Sequence, residues 1–122
     1  MKTETTQTNS TTIDAAGKSL GRLCTEVAKI LLAKNSPSFA KNFAAKVEVL
    51  VINASKVKVT GDKMKSKTHK RFSLFPGGLK TPSWSDVAAK KGYGELVRHA
   101  VEGMLPKNSL QKARMKNLKV TE

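Results

Sequence analysis

Residues 47–53 read Val-Glu-Val-Leu-Val-Ile-Asn, a β-branched run almost unbroken in apolar side chains. A strand with one wet face alternates apolar and polar residues, so a near-continuous run belongs to a central strand covered on both faces. Two helical stripes are available to pack on such a sheet. Leu20, Leu23, Cys24, Val27, Ile30 and Leu31 recur at the spacing of one helical face, with Ser36-Pro37 as the stop. Leu96, Val97, Ala100, Val101 and Met104 form the second stripe, ended by Pro106. Lys56 to Thr60 reads as another strand after a tight connection, and Ser109 to Met115 as a short basic helix before a last strand at Leu118 to Thr121. Thr60-Gly61-Asp62-Lys63 supplies a turn, Met64 to Phe72 an exposed charged strand or arm, and Pro76 to Pro82 a loop. Strands alternating with helices predict an α/β sandwich with a largely parallel sheet and helices on both faces.

The 122 residues, 39% of them hydrophobic, suit one domain, read here as residues 13–122. Residues 1–12 are dominated by Thr, Asn, Gln and Ser without periodic apolar positions, so a disordered polar tail is expected. That segment has no apolar core and carries Glu4, which fits neither a secretory signal nor a transit peptide and predicts a cytoplasmic protein. Apolar runs such as Val49 to Ile52 fall far short of the ~20 residues that span a bilayer. Cys24 is the only cysteine, which excludes an internal disulfide and a multi-cysteine zinc site.

Lys and Arg total 23 against 9 Asp and Glu, a net charge of +14. Charge of that size repels itself in the folded state unless a polyanion neutralises it, and nucleic acid is the usual polyanion. A membrane surface would call for a basic amphipathic helix with Trp, Phe and Leu opposite the charges, and none is visible. Lys63, Lys65, Lys67, Lys70 and Arg71 fall close together with His69 and without an acid, followed by Lys80 across the glycine loop. If that segment is extended, Lys63, Lys65 and Lys67 share one face and match a row of phosphates. The plainer reading is an edge strand charged against aggregation. A second basic group comprises Lys107, Lys112, Arg114, Lys116 and Lys119, in a stretch from Gly103 to Thr121 that has no acid. The six aromatics, Phe39, Phe43, Phe72, Phe75, Trp84 and Tyr93, do not interleave with basic residues as in a base-stacking signature. Recognition of phosphates, 2′-hydroxyls and RNA shape is therefore expected. Gly77 and Gly78 in the loop would let backbone approach closely.

Catalytic motifs are fragmentary. Ala15 to Arg22 (AAGKSLGR) contains the Gly-Lys-Ser ending of a phosphate-binding loop, but its first glycine would fall on Thr12, and a turn that starts a helix is the plainer reading. Gly92 to Gly103 is a weaker echo of a dinucleotide fingerprint, with no buried strand before it. Cys24, with His69 or His99 as base, lies on an apolar stripe where cysteines are usually inert. The carboxylates are dispersed, so no paired acid and base is indicated.

Four strings carry a more specific signal: IDAAGKSLGRL (residues 13–23), VINASKVKVTGDK (51–63), FPGGLK (75–80) and AVEGMLPKNSL (100–110), followed by LKV. In this order and spacing the chain resembles the bacterial form of the universal large-subunit ribosomal protein thirteen family, from about Ile13 to Val120. The resemblance implies a three-layer α/β/α fold with a mostly parallel four-stranded sheet. It also implies a structural, non-enzymatic role in the large ribosomal subunit. Binding to large-subunit rRNA during early assembly, beside neighbouring ribosomal proteins, goes with that role, and no cofactor, metal or small-molecule substrate is implied. The matching motif positions are Gly21, Arg22, Asn53, Thr60, Gly61, Lys63, Pro76, Gly77, Gly78, Lys80 and Gly103 to Asn108. Departures are SFAKNFAAK (38–46) in place of a tyrosine-rich segment, Phe72-Ser73-Leu74 without a histidine, Leu110-Gln111-Lys112 in place of Leu-Gly-Arg, and no histidine-containing tail before the sequence ends at Glu122. Combining charge and motif, the expected RNA contacts are Arg22, Lys63, Lys65, Lys67, His69, Lys70, Arg71, Gly77, Gly78, Lys80, Lys107, Lys112, Arg114 and Lys116. The alternative is a free RNA- or DNA-binding regulator or RNA chaperone.

Overall fold

The computed structural model describes residues 9–37 and 39–122. Strand β1 (Asn9–Asp14) runs parallel to β2 (Val47–Ile52), with Ile13 opposite Val51, and β2 runs parallel to β5 (Leu118–Val120), with Val49 opposite Leu118. The apolar run at 47–52 is thus the middle strand of the order β1-β2-β5. Val49 and Val51 are fully buried on one face, while Leu50 and Ile52 on the other are half-buried beside exposed Thr12, Asp14 and Lys119.

Among the described residues the sheet has three strands, not the expected four. Residues Ala54–Lys56 form a 3-10 turn, and of the segment expected as a strand only Lys58 pairs, through a parallel bridge to Ser19. Gly17, at φ 72, turns the chain out of β1, and α1 starts at Leu20, so Lys58 finds only two backbone partners. It donates to Lys18 (2.9 Å) and accepts from Leu20 (3.1 Å). Gly61, at φ 68, then bends the chain away.

Helix α1 (Leu20–Leu31) buries Leu20, Leu23, Cys24, Val27, Ala28 and Leu31. It ends before the Ser36-Pro37 stop read from sequence, because Ala33 adopts a left-handed conformation (φ 55). The Ala33 and Lys34 N–H groups donate to Ile30 and Lys29 at 2.9 and 3.2 Å, a closed end that consumes the last carbonyls. Helix α4 (Tyr93–Met104) buries Leu96, Val97 and Val101; Val97 and Val101 pack with the α1 stripe, and Leu105 completes that face where Met104 stays exposed. The buried α1 residues, Val97, Val101 and Leu105 make one apolar cluster with Ile13, Val49, Val51, Val57 and Leu118.

Between these elements lie α2 (Lys63–Ser66), the hairpin β3 (Arg71–Phe72) and β4 (Leu79–Lys80), and α3 (Trp84–Lys91); α5 (Leu110–Lys116) precedes β5. Of the polar tail expected over residues 1–12, Asn9 to Thr12 pair instead with Val47 to Leu50, and residues 1–8 lie outside the described residues. Asn9, Ser10 and Thr12 keep their side chains exposed, so the backbone ladder alone recruits them and leaves no apolar trace in sequence. Among the described residues no helix is long and apolar enough to cross a membrane.

Cys24 sits in the α1–α4 seam with its Sγ 3.8 Å from the Val97 carbonyl, and burial pushes its thiol up to about 12. At neutral pH it is a protonated packing group, not a thiolate nucleophile. A thiol reagent is expected to leave the native protein unlabelled near neutral pH and to modify Cys24 once denaturant unfolds the chain. Rapid labelling of the native state would contradict this packing.

Candidate functional site

The segment after Gly61 does not extend as a strand. Asp62 accepts from the Lys65 and Ser66 N–H groups (3.0 and 2.8 Å), winding Lys63–Ser66 into one helical turn. Lys63, Lys65 and Lys67 consequently do not form a period-two row. Lys63 and Lys67, four residues apart, line the same groove, which Lys65 does not.

That groove, about 500 Å³, opens at the N-terminus of α1. Arg22, Lys58, Lys63 and Lys67 surround a floor that includes Leu20, Trp84 and Met104. The partial positive charge of the α1 N-terminus adds to four cations. The Gly-Lys-Ser string beside it forms the turn that starts α1 and no phosphate cradle. The Gly17 N–H is committed to the Lys56 carbonyl (3.2 Å), and the Lys18 ammonium pairs with Glu26 at 3.0 Å.

A second basic groove of about 460 Å³ joins His69, Arg71 and Lys80 to Lys90 and Lys91 of α3. Two backbone hydrogen bonds fix it beside the first: Trp84 N–H to Lys67 carbonyl (3.0 Å) and His69 N–H to Pro82 carbonyl (2.9 Å). The His69 ring stacks on His99 of α4, with centroids 4.2 Å apart. These two rings line a third recess with Glu102, Lys107 and Gln111. Three of the chain's basic segments are thereby brought onto adjoining grooves. Lys65 and Lys70 line neither of the first two grooves and remain exposed.

Lys90 and Lys91 escaped sequence reading because α3 did. With only Val87 buried, α3 has no apolar stripe. Its one local signal is the capping box, in which Ser83 Oγ accepts from the Asp86 N–H and the Asp86 carboxylate accepts from the Ser83 N–H (3.4 and 3.3 Å).

Gly77 and Gly78 form the tip of the β3–β4 hairpin. Gly77 has φ 71, and a Cβ on Gly78 would run into Ser73 Oγ and the Phe75 carbonyl. The tight tip holds Phe72, Leu74, Phe75 and Leu79 outward, with Leu74 and Phe75 84% and 73% exposed. Exposed aromatic side chains do therefore stand beside cations here, Phe72 next to Arg71, and rings so presented can stack on flat bases.

In the second basic group Lys107, Lys112 and Lys116 are exposed, and Lys119 pairs with Glu48 at 3.3 Å. Arg114 is only 2% exposed, against its expectation as a surface contact. The phase of α5 explains this: Leu110, Gln111, Arg114 and Met115 face inward, Lys112, Ala113 and Lys116 outward. Asn53, a motif position, has a structural role. It is left-handed (φ 58), and its Nδ2 donates to the Asp14 carboxylate at 3.0 Å, tying the end of β2 to β1. Among the described residues no group of three or more His, Cys, Asp or Glu side chains is placed to hold a metal ion.

A family model described as ribosomal protein L13 matches residues 8–122. Relatives named large ribosomal subunit protein uL13 include that of Geobacillus kaustophilus, 45% identical over 109 residues, covering 88% of this chain and 74% of the relative. That of Microcystis aeruginosa is 47% identical over 108 residues (88% and 71%), and that of Thermus thermophilus 44% identical over 108 residues (88% and 76%).

Proposed function

Because this chain belongs to the ribosomal protein L13 family, we propose that it is a structural, non-catalytic component of the large ribosomal subunit in the cytoplasm. It binds large-subunit rRNA through its basic grooves, sits beside neighbouring ribosomal proteins and supports early subunit assembly. The domain read as residues 13–122, extended at its start by Asn9 to Thr12 of β1, acts as one RNA-binding unit. The observation that carries this reading is the convergence of Arg22 with Lys58, Lys63 and Lys67 on one groove, adjoining a second built from Arg71, Lys80, Lys90 and Lys91. The net charge of +14 already discounts every carboxylate, so all of it is left for a polyanion to neutralise. Phosphates docked along the grooves fix position, while the hairpin tip with Phe72 and Phe75 reaches unpaired bases.

Two measurements test this. The chain should sediment with large ribosomal subunits, and its absence from ribosomal particles would sink the assignment. The logarithm of its rRNA affinity should fall by roughly 0.7 to 0.9 per log unit of salt for each phosphate engaged, whereas a flat response would contradict groove binding. A free regulator predicts instead a selected sequence motif and no co-sedimentation.

A further inference from the structure

Arg114 is the single buried charged residue among those described, and its Nε has no hydrogen-bond partner there. A guanidinium stays protonated in any protein environment, so a charged group has its Nε desolvated and has no counter-ion among the described residues. Buried unpaired charge is costly in the free protein and calls for an explanation in what it receives.

The surroundings indicate an anion. Arg114 lines a groove of about 270 Å³ between the end of α1, the 39–41 segment and the loop after α4. Lys34 and Lys41 stand exposed at its rim, Leu32 and Phe39 give it apolar walls, and among the described residues no carboxylate lines it. Asn108 also lines it; its Oδ1 accepts from the Leu110 N–H (3.1 Å), which leaves the Nδ2 group as a donor. Cations at floor and rim with an amide donor suit a tetrahedral oxyanion, and the exposed face of Phe39 suits the sugar or base attached to it.

We infer that this groove is a receptor for one backbone phosphate of RNA, with Arg114 at its floor and Lys34 and Lys41 at its rim. The inference rests on the rRNA-binding reading, but concerns a groove with its own lining residues, separate from those of the Arg22 and Arg71 grooves. Arg114 is inward-facing on α5, where its neighbours Leu110 and Met115 are apolar, so free-state stability is given up for a charge that only a bound anion satisfies.

Arg114→Met, which keeps an unbranched side chain as far as the Nε position and removes the charge, separates the outcomes in the full chain. The free variant should melt in chloride at or above the wild-type Tm. Its rRNA affinity should be about tenfold weaker, with a salt slope shallower by roughly 0.7 to 0.9, the signature of one lost phosphate. Inorganic phosphate at matched ionic strength should raise the Tm of the wild type more than that of the variant. Should Arg114→Met fail to fold, Lys34→Ala/Lys41→Ala at the exposed rim should still lower affinity and slope without lowering Tm. A lower Tm for Arg114→Met with unchanged affinity and slope would make Arg114 a core residue and overturn the site. Loss of slope in Arg22 and Lys63 variants but in neither groove variant would overturn it while leaving rRNA binding intact. Tight binding of an acidic protein partner, with RNA affinity untouched by these substitutions, would also overturn it.

Discussion

Replacing Arg22, Lys63 and Lys67 together with alanine is expected to weaken binding to large-subunit rRNA on the order of a hundredfold, since each charge-assisted contact contributes about 1 kcal/mol or more. The three side chains come from α1, α2 and the residue after α2, and all are exposed around one groove, so their removal takes no atoms from the core. The salt dependence should become shallower by roughly 2.1 to 2.7 if each side chain neutralises one phosphate. Stability should hold or rise, because three like charges are removed from a chain at +14. Binding titrations at several salt concentrations, with thermal melts of the same samples, check both halves. Unchanged slope with unchanged affinity would move the rRNA surface to the hairpin and α3.

Helix α1, strand β2 and helix α4 are legible in sequence because each buries an apolar face whose period survives in the order of residues. The elements that escape are held by other forces. Strand β1 between Asn9 and Thr12 is recruited by a backbone ladder that makes no demand on side chains. Helix α3 depends on the Ser83–Asp86 capping box and one buried valine. The expected fourth strand fails because the turn at Gly17 and the start of α1 leave Lys58 one bridge, opposite Ser19, made by its hydrogen bonds to Lys18 and Leu20.

The binding surface follows the same division. Composition locates the basic segments, but not that Lys63 meets Arg22 across some forty residues of sequence. The hydrogen bonds Lys67–Trp84 and His69–Pro82 that set the grooves side by side are backbone pairs, invisible to charge or hydropathy. Arg114 shows the converse. Its charge suggests surface, but the phase of α5, fixed by Leu110 and Met115, turns it inward. A helix presents residues by angle, and one basic residue among three in a short helix can fall on the inward side of that angle.

Leu23→Ala should be the most damaging conservative change to the fold. Leu23 is fully buried in the cluster formed by α1, α4 and the sheet, among Cys24, Val27, Val97 and Val101. Truncating a leucine in such a site costs about 2 to 5 kcal/mol, through lost transfer energy and the cavity left behind. Against a domain stability of about 5 to 15 kcal/mol that is a large fraction, and for a chain of this size it lowers Tm by roughly 8 to 20 °C. The consequence for binding differs in kind from that of the groove variants. Arg22 projects from the same helix, and Met104 of the groove floor from the helix packed against it, so the groove exists only while the α1–α4 seam holds. Weak binding by Leu23→Ala then reflects the unfolded fraction, and RNA at a hundredfold over its Kd should restore about 2.7 kcal/mol of stability by mass action. Added rRNA should therefore raise the Tm of Leu23→Ala while giving little rescue to the Arg22, Lys63 and Lys67 variant, whose fold is intact and whose contacts are gone. If Leu23→Ala melts within a few degrees of wild type, the α1–α4 seam is not what holds the groove in shape.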